Sequence, residues 1–156
     1  MITIDLLKNH PESIARLAAI WHEVLGKIWA PDVMIQSVMQ KYTNHLNENI
    51  LPITFVALDG VTPVGMCSLR ENDGIMPNIT PWLGSLVVDP AYQKQGIGNM
   101  LIDATKNKAK TLGFEKLYLF AFDPTIPDYY AKHGWCTIGM DEFKGHKVTV
   151  MEIQQL

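Results

Sequence analysis

Residues 83–98 read Leu-Gly-Ser-Leu-Val-Val-Asp-Pro-Ala-Tyr-Gln-Lys-Gln-Gly-Ile-Gly. The apolar run closed by Asp89-Pro90 predicts a strand over 82–88, because a proline has no N–H to continue a ladder. Beyond Gly96 the apolar residues Ile97, Leu101, Ala104 and Leu112 recur at helical spacing, and Gly113 stands where a left-handed cap ends a helix. A helix over 96–112 is therefore expected directly after the strand. Glycines at such a junction let the chain turn tightly and gather free N–H groups at a helix N-terminus, where a phosphate or pyrophosphate fits. The same two glycines also suit a helix that merely starts close to a sheet. A Walker loop needs Gly-x4-Gly-Lys-Ser/Thr and a dinucleotide fingerprint needs three glycines, and the segment carries neither.

Working outward, residues 116–122 are rich in aromatic and apolar positions and predict the next strand. Thr125-Ile126-Pro127-Asp128 has the form of a capping box with proline in the first turn, so a short helix is expected to run to His133 and stop at Gly134. Strands are expected over 135–140 and 148–153. Upstream, 53–58 and 64–70 form a hairpin across Asp59-Gly60, and 71–81 is a loop of Gly, Pro, Asn and Asp. Residues 2–6 alternate as an opening strand. One helix follows His10-Pro11-Glu12, with Ile14, Leu17, Ala18, Trp21, Val24 and Leu25 on its apolar face. A second is opened by Pro31, carries Val38 and Tyr42, and ends by Asn49. This order implies one domain over 1–156 of the α/β (α+β sandwich) class. Its sheet is expected to be mixed, largely antiparallel and twisted, of about seven strands with helices on both faces, and 96–112 is the right-handed crossover between two parallel strands.

A chain of 156 residues, 47% apolar and 19% charged, has the composition of a folded soluble domain rather than a disordered one. Its net charge of −3 argues against a sequence-independent nucleic-acid binder, and Lys106, Lys108 and Lys110 read as the solvated face of a helix. Mild acidity suits a cationic substrate and suits solubility alone equally well. No apolar run is long enough to span a bilayer, and residues 1–8 alternate rather than forming a signal core, which places the protein in the cytoplasm with no membrane partner. Cys67 and Cys136 lack the spacing of a metal site, so both are expected to be buried thiols and no metal is expected.

The pattern Gln93-x-x-Gly96-x-Gly98, preceded by Leu86-Val87-Val88-Asp89-Pro90, resembles the acetyl-coenzyme A motif of the GNAT superfamily of N-acetyltransferases. Downstream, Tyr118-Leu119-Phe120, then Asp123, then Tyr129-Tyr130-Ala131-Lys132-His133-Gly134-Trp135 is similar to that family's second motif, at the spacing the family uses. The resemblance covers 82–140; before it only the order of elements agrees. It implies that the strands 83–88 and 116–122 splay apart and that acetyl-coenzyme A enters the gap. Its pantetheine would pair with backbone at Leu86, Val87 and Val88. Its pyrophosphate would rest on the N–H groups of Gln93, Lys94, Gln95, Gly96, Ile97, Gly98 and Asn99, with Lys94 adding charge. The family usually has Asn where Asp123 stands, a departure at a coenzyme-contacting position.

Acetyl transfer to an amine needs the amine neutral and a proton for the departing thiolate. The resemblance puts Tyr130 at the general-acid position and at the coenzyme; read from its residues alone, it is an amphipathic core side chain. Tyr129 is expected to pack. Many relatives carry a base, Glu, six residues before the proline, and that position here is Gly84. Glu71 and Asp73 are the candidates to replace it or to bind the acceptor, although Asn72-Asp73-Gly74 is also ordinary turn chemistry. Ser85 could order a water instead. Trp21, Trp29, Trp82 and Phe122 suit an acceptor wall or the core. The expected activity is direct acetyl transfer, in a ternary complex, to the primary amine of a small molecule. Protein or peptide N-acetylation, a non-catalytic acyl-coenzyme A sensor and a plain phosphate-binding module stand as alternatives. Family habit suggests a homodimer.

Overall fold

Seven strands lie side by side in the order β1–β2–β3–β4–β5–β7–β6. They are β1 (Ile2–Leu6), β2 (Ile53–Asp59), β3 (Thr62–Arg70), β4 (Trp82–Val88), β5 (Lys116–Ala121), β6 (Cys136–Phe143) and β7 (His146–Gln154). The computed structural model describes residues 1–121 and 125–154. Every adjacent pair is antiparallel except β4 and β5. That parallel pair requires a crossover, which is helix α4 (Ile97–Thr111).

Alternation along the strands sorts the apolar side chains onto two faces. Ile53, Ala57, Cys67 and Leu69 pack with Ile97, Leu101 and Ala109 of α4. Val56, Leu58, Met66 and Val87 point the other way, onto helices α1 (Ile14–Trp21) and α3 (Ile35–Thr43), where Leu17, Ile20, Val38 and Tyr42 meet them. Each fully buried Leu or Ile contributes about 1.5–3 kcal/mol, so both helical layers are held chiefly by these contacts. A third cluster, Ile75, Trp82, Val148 and Val150, closes one end of the sheet.

The expected first helix is interrupted. After a 3-10 turn (Pro11–Ser13) and α1, the chain makes a π turn over His22–Gly26 before the last helical turn, α2 (Lys27–Trp29). A side chain at Gly26 would collide with the Trp21 ring at 2.8 Å, so the wide turn closes only over a glycine. The second helix is shorter than expected, starting at Ile35 after an extended Met34 and ending at Thr43. Asn47 then ties the exit, its amide donating to the carbonyls of Asn44 and Pro52. The last two strands reach further than the sequence pattern, to Phe143 and from His146, because a two-residue turn with both Lys144 and Gly145 at positive φ (48° and 83°) joins them. Cys67 is buried as expected, whereas Cys136 is exposed, since β6 is the sheet's edge and its outer face is uncovered.

Candidate active site

The two parallel strands meet at one point. Trp82 pairs with Tyr118, whose N–H donates to the Pro81 carbonyl at 3.1 Å, and beyond that residue β4 and β5 have no further pairing. On its other side β4 stays attached to β3, but unevenly. Ser68 faces Gly84 and Met66 faces Val87, so β4 carries one residue more than its partner, and Ser85 sits in this bulge at φ 50°. A non-glycine residue held in that region costs about 1–3 kcal/mol and persists only where its surroundings fix it.

Three side chains, from α3, β3 and the loop after it, do the fixing. The Tyr42 hydroxyl donates to Ser85 Oγ at 2.6 Å. Arg70, at the end of β3, donates from Nη2 to Ser85 Oγ and, at 3.2 Å, to Tyr42 Oη. Its Nη1 donates to Asp73 Oδ1 at 2.6 Å, and its Nε is buried without a partner among the described residues. Burial pushes the Tyr42 phenol up. A Cβ at Gly84 would come within 3.0 Å of Arg70 Nη1 and of Asp73 Oδ2. The space a side chain would take at that position is filled by the Arg70–Asp73 ion pair.

Above this floor lies a cleft of about 210 Å³ where β4 and β5 part. Trp21, Leu25 and Trp29, spaced four residues apart along the interrupted first helix, line one wall, and Phe120, Ile126 and Tyr130 line another. The β6–β7 hairpin brings Phe143 and Lys144 over it, with the Trp29 and Phe143 rings meeting edge to face at 5.2 Å. Lys41 also lines the cleft, and burial of its ammonium end, with the Arg70 charge close by, pushes it down to about 8. Tyr130, on α5 (Thr125–Ala131), is 8% exposed, and burial, with Cys67 and Tyr129 nearby, pushes its phenol well above the ordinary tyrosine value.

Next to the open edge of β4 comes the glycine loop. Asp89 accepts from Ala91 N at 3.0 Å and pairs with Arg16, while Gln93 Nε2 donates to the Val88 carbonyl at 3.1 Å. Lys94 and Gly96 both adopt left-handed conformations, at φ 65° and 82°, which turns the chain into α4. The first-turn N–H groups of α4 have no acceptor inside the helix. A Cβ on Gly98 would meet nothing within 4 Å, so the space before the helix end is open. Free amides facing open space at a helix N-terminus fit a pyrophosphate.

The expected site residues fall in several places. Leu86, Asp73 and Tyr130 line one cleft; Val87 is buried against α1 and α3, and Val88 packs toward α4. Gln93, Lys94, Gln95, Gly96, Ile97, Gly98 and Asn99 form the loop and the start of α4, Ile97 being core. Asn99 accepts a hydrogen bond from the Tyr129 hydroxyl, so Tyr129 ties α5 to α4 rather than only packing. Glu71 is exposed and borders an outer depression that shares Lys41, Arg70, Asp73 and Phe143 with the cleft, but Glu71 does not line the cleft itself. Asp123 and Phe122 lie outside the described residues. Trp21 and Trp29 are wall residues; Trp82 is fully buried, its indole donating to the Ile79 carbonyl at 2.7 Å. Sequence reasoning missed Arg70, Tyr42, Lys41 and Lys144. Arg70 alone left a signal, a charged residue closing an otherwise apolar strand.

Among the described residues no group of three or more His, Cys, Asp or Glu could hold a metal, and no helix is long and apolar enough to cross a membrane. Comparison with known proteins agrees with the fold. No curated protein sequence matches. Solved structures do: an aminoglycoside 6'-acetyltransferase type Ii is 19% identical with a TM-score of 0.75, over 99% of this chain and 97% of that one. The PaiA N-acetyltransferase from Thermoplasma acidophilum, solved with coenzyme A, is 20% identical with a TM-score of 0.71, over 99% of both chains. A chimera of the Vibrio cholerae spermidine N-acetyltransferase SpeG with hSSAT is 20% identical with a TM-score of 0.72, over 99% of this chain and 95% of that one. The profile of the Acetyltransferase (GNAT) family matches residues 15–135, most of the chain, and the protein belongs to that family of acetyltransferases.

Proposed function

We propose that this chain is a single-domain N-acetyltransferase that moves the acetyl group of acetyl-coenzyme A to the primary amine of a small molecule. The observation that carries this reading is the parting of β4 from β5 immediately after Trp82 and Tyr118, with the glycine loop at one end of the gap and Tyr130 in its wall. The unpaired β4 edge at Leu86 and Val88 suits the pantetheine amides, and the amides from Gln93 to Asn99 suit the pyrophosphate. When bound, the coenzyme supplies an acetyl thioester that a neutral amine can attack with release of the thiol.

The chain's own groups then divide the proton work. An aliphatic amine has a pKa near 10.4 in water and must lose a proton before it reacts. Asp73 is the acceptor for that proton: Oδ1 is held by Arg70, and Oδ2 is turned toward Gly84 in the cleft wall. Tyr130, kept protonated by its burial, is the donor to the departing sulfur. The neighbours named above for aminoglycosides and spermidine support a small-amine acceptor, as does the small size of a cleft of about 210 Å³ lined by aromatic rings.

The test is thiol release from acetyl-coenzyme A with the purified chain, measured against small amines and against peptides. Release that depends on a small amine and is weak with peptides supports the reading. Tight coenzyme binding with no acceptor-dependent release would make the protein a sensor, and no preference for the acylated coenzyme over ATP would make it a phosphate-binding module.

A further inference from the structure

Resting on that reading of the cleft, we infer that the acceptor is a zwitterion, an apolar amino acid, and not a polycation. Four charged side chains line the cleft: Lys41, Arg70, Asp73 and Lys144. Arg70 and Asp73 neutralise one another at 2.6 Å. Among the described residues Lys41 and Lys144 enter no ion pair, and the Lys41 ammonium feels the charges of Arg70, Asp73 and Lys144 around the cleft. Two exposed lysines bordering one small space without an ion-pair partner attract an anion to it.

Coenzyme phosphates do not account for that pair, because none of residues 93–99 lines the cleft; the phosphate loop lies beyond its boundary. A polyamine or aminoglycoside would bring several positive charges against Lys41, Lys144 and Arg70 and find a single carboxylate with one oxygen, Asp73 Oδ2, left to receive them. An α-amino acid fits each charge. Its ammonium has Asp73 Oδ2, and its carboxylate has the lysines. Apart from the hydroxyls of Ser85 and Tyr130, the rest of the wall is mainly apolar, with Trp21, Trp29 and Phe143 offering rings to the side chain. The net acidity of the whole chain, −3, thus says nothing of the acceptor, because the local charge in the cleft has the opposite sign.

Lys144 owes its position to the tight turn of the β6–β7 hairpin, where it sits at φ 48° with its ammonium 5.5 Å from the Phe143 ring centroid. Lys41 comes from α3, so the two reach the cleft from separate elements, a helix and the turn of a hairpin. Such convergence of two lysines from unrelated elements is a binding arrangement rather than a solvated stripe on one helix.

The experiment compares thiol release for leucine, methionine and phenylalanine with release for the matching amines that lack the carboxylate, such as isoamylamine and phenethylamine, and with spermidine. The expected result is a kcat/KM at least tenfold higher for each amino acid than for its decarboxylated partner. Lys144→Met should erase that ratio by raising the KM of the amino acids while leaving the KM of the amines, and Lys144→Arg should restore it. Equal rates for acid and amine, or a preference for spermidine, overturn the zwitterion inference and leave the acetyltransferase reading standing. Absence of release with every acceptor, in protein that still binds coenzyme, overturns both.

Discussion

The glycine loop and the proposed acceptor floor lie at either end of the open stretch of β4 and are built by different means. The loop at 93–99 works through main chain: left-handed turns at Lys94 and Gly96 and the first amides of α4 make up the proposed anion site, and no side chain has to arrive from elsewhere. The floor works through side chains that converge from separate elements, Tyr42 from α3, Arg70 from β3, Asp73 from the loop and Ser85 from the β4 bulge. A site of the first kind tolerates change anywhere outside a few glycines. A site of the second kind is cooperative, because each group satisfies the others and removing one strands the rest.

The largest effect tests whether the two halves meet at Tyr130. Tyr130→Phe should lower turnover about 100-fold or more, as expected for loss of a general acid, while coenzyme affinity stays within threefold. Steady-state kinetics and calorimetry separate the two quantities. Full turnover in the variant, across the alkaline limb of the pH profile, would reduce Tyr130 to a packing residue beside Trp135, whose ring lies 5.8 Å away.

Next in size is the floor itself. Arg70→Met leaves the Asp73 carboxylate without its ion pair and removes the donor that holds Ser85 at positive φ. Breaking a mostly buried pair from one side costs about 3 kcal/mol, which urea unfolding would register as a lower midpoint. The loop should not notice: coenzyme affinity per folded molecule is expected to hold. An Arg70→Met protein as stable as the parent would mean that the floor is not cooperative and would dissolve the contrast.

How far each half could be read from sequence follows from the same contrast. The strand–glycine–helix segment declares itself because backbone conformation is written locally, in Pro90, Gly96 and Gly98, and the order of seven strands follows from alternation and turn residues. Gly84 could be seen as an absence, but not what fills it: Arg70 and Asp73 are only three residues apart, yet their packing against β4 beside the bulge at Ser85 is written in no local pattern. Lys41 looks like any helix-surface lysine, and Lys144 like any turn lysine, until the fold brings both to one cleft. The broken first helix was hidden for a related reason: the spacing of Trp21, Leu25 and Trp29 suits a regular helix, and only the packing of Gly26 under the Trp21 ring imposes the π turn.

His45 measures the electrostatics beneath the floor. Its Nδ1 is 2.8 Å from Thr54 Oγ1, its ring lies 4.9 Å from that of Tyr42, and burial, with the Arg70 and Lys41 charges, pushes it down to about 3. Between pH 6.5 and 3 the unfolded chain therefore binds a proton that the folded chain refuses. Stability is complete above the unfolded value and falls as pH drops through this window, by about 2 kcal/mol between pH 7 and pH 5. His45→Gln should flatten that slope in denaturant midpoints measured against pH. An unchanged slope would move the acid sensitivity elsewhere and mean that the floor's cations do not reach His45.

The smallest effects belong to the loop, and their signs are its signature. Gly96 caps α4 at φ 82°, where a Cβ meets no neighbour within 4 Å, so Gly96→Ala is penalised by backbone conformation alone, about 1 kcal/mol. Gly98, one residue into the same helix, also has open space around its missing Cβ but has ordinary helical geometry, so Gly98→Ala should stabilise the free protein by about 0.5 kcal/mol through helix propensity. Thermal unfolding without coenzyme resolves the two shifts. Opposite signs are what a main-chain site requires, because one glycine is kept for its torsion and the other for the room above it. If both substitutions destabilise, the loop depends on packed side chains as the floor does, and the two halves of the site are built alike.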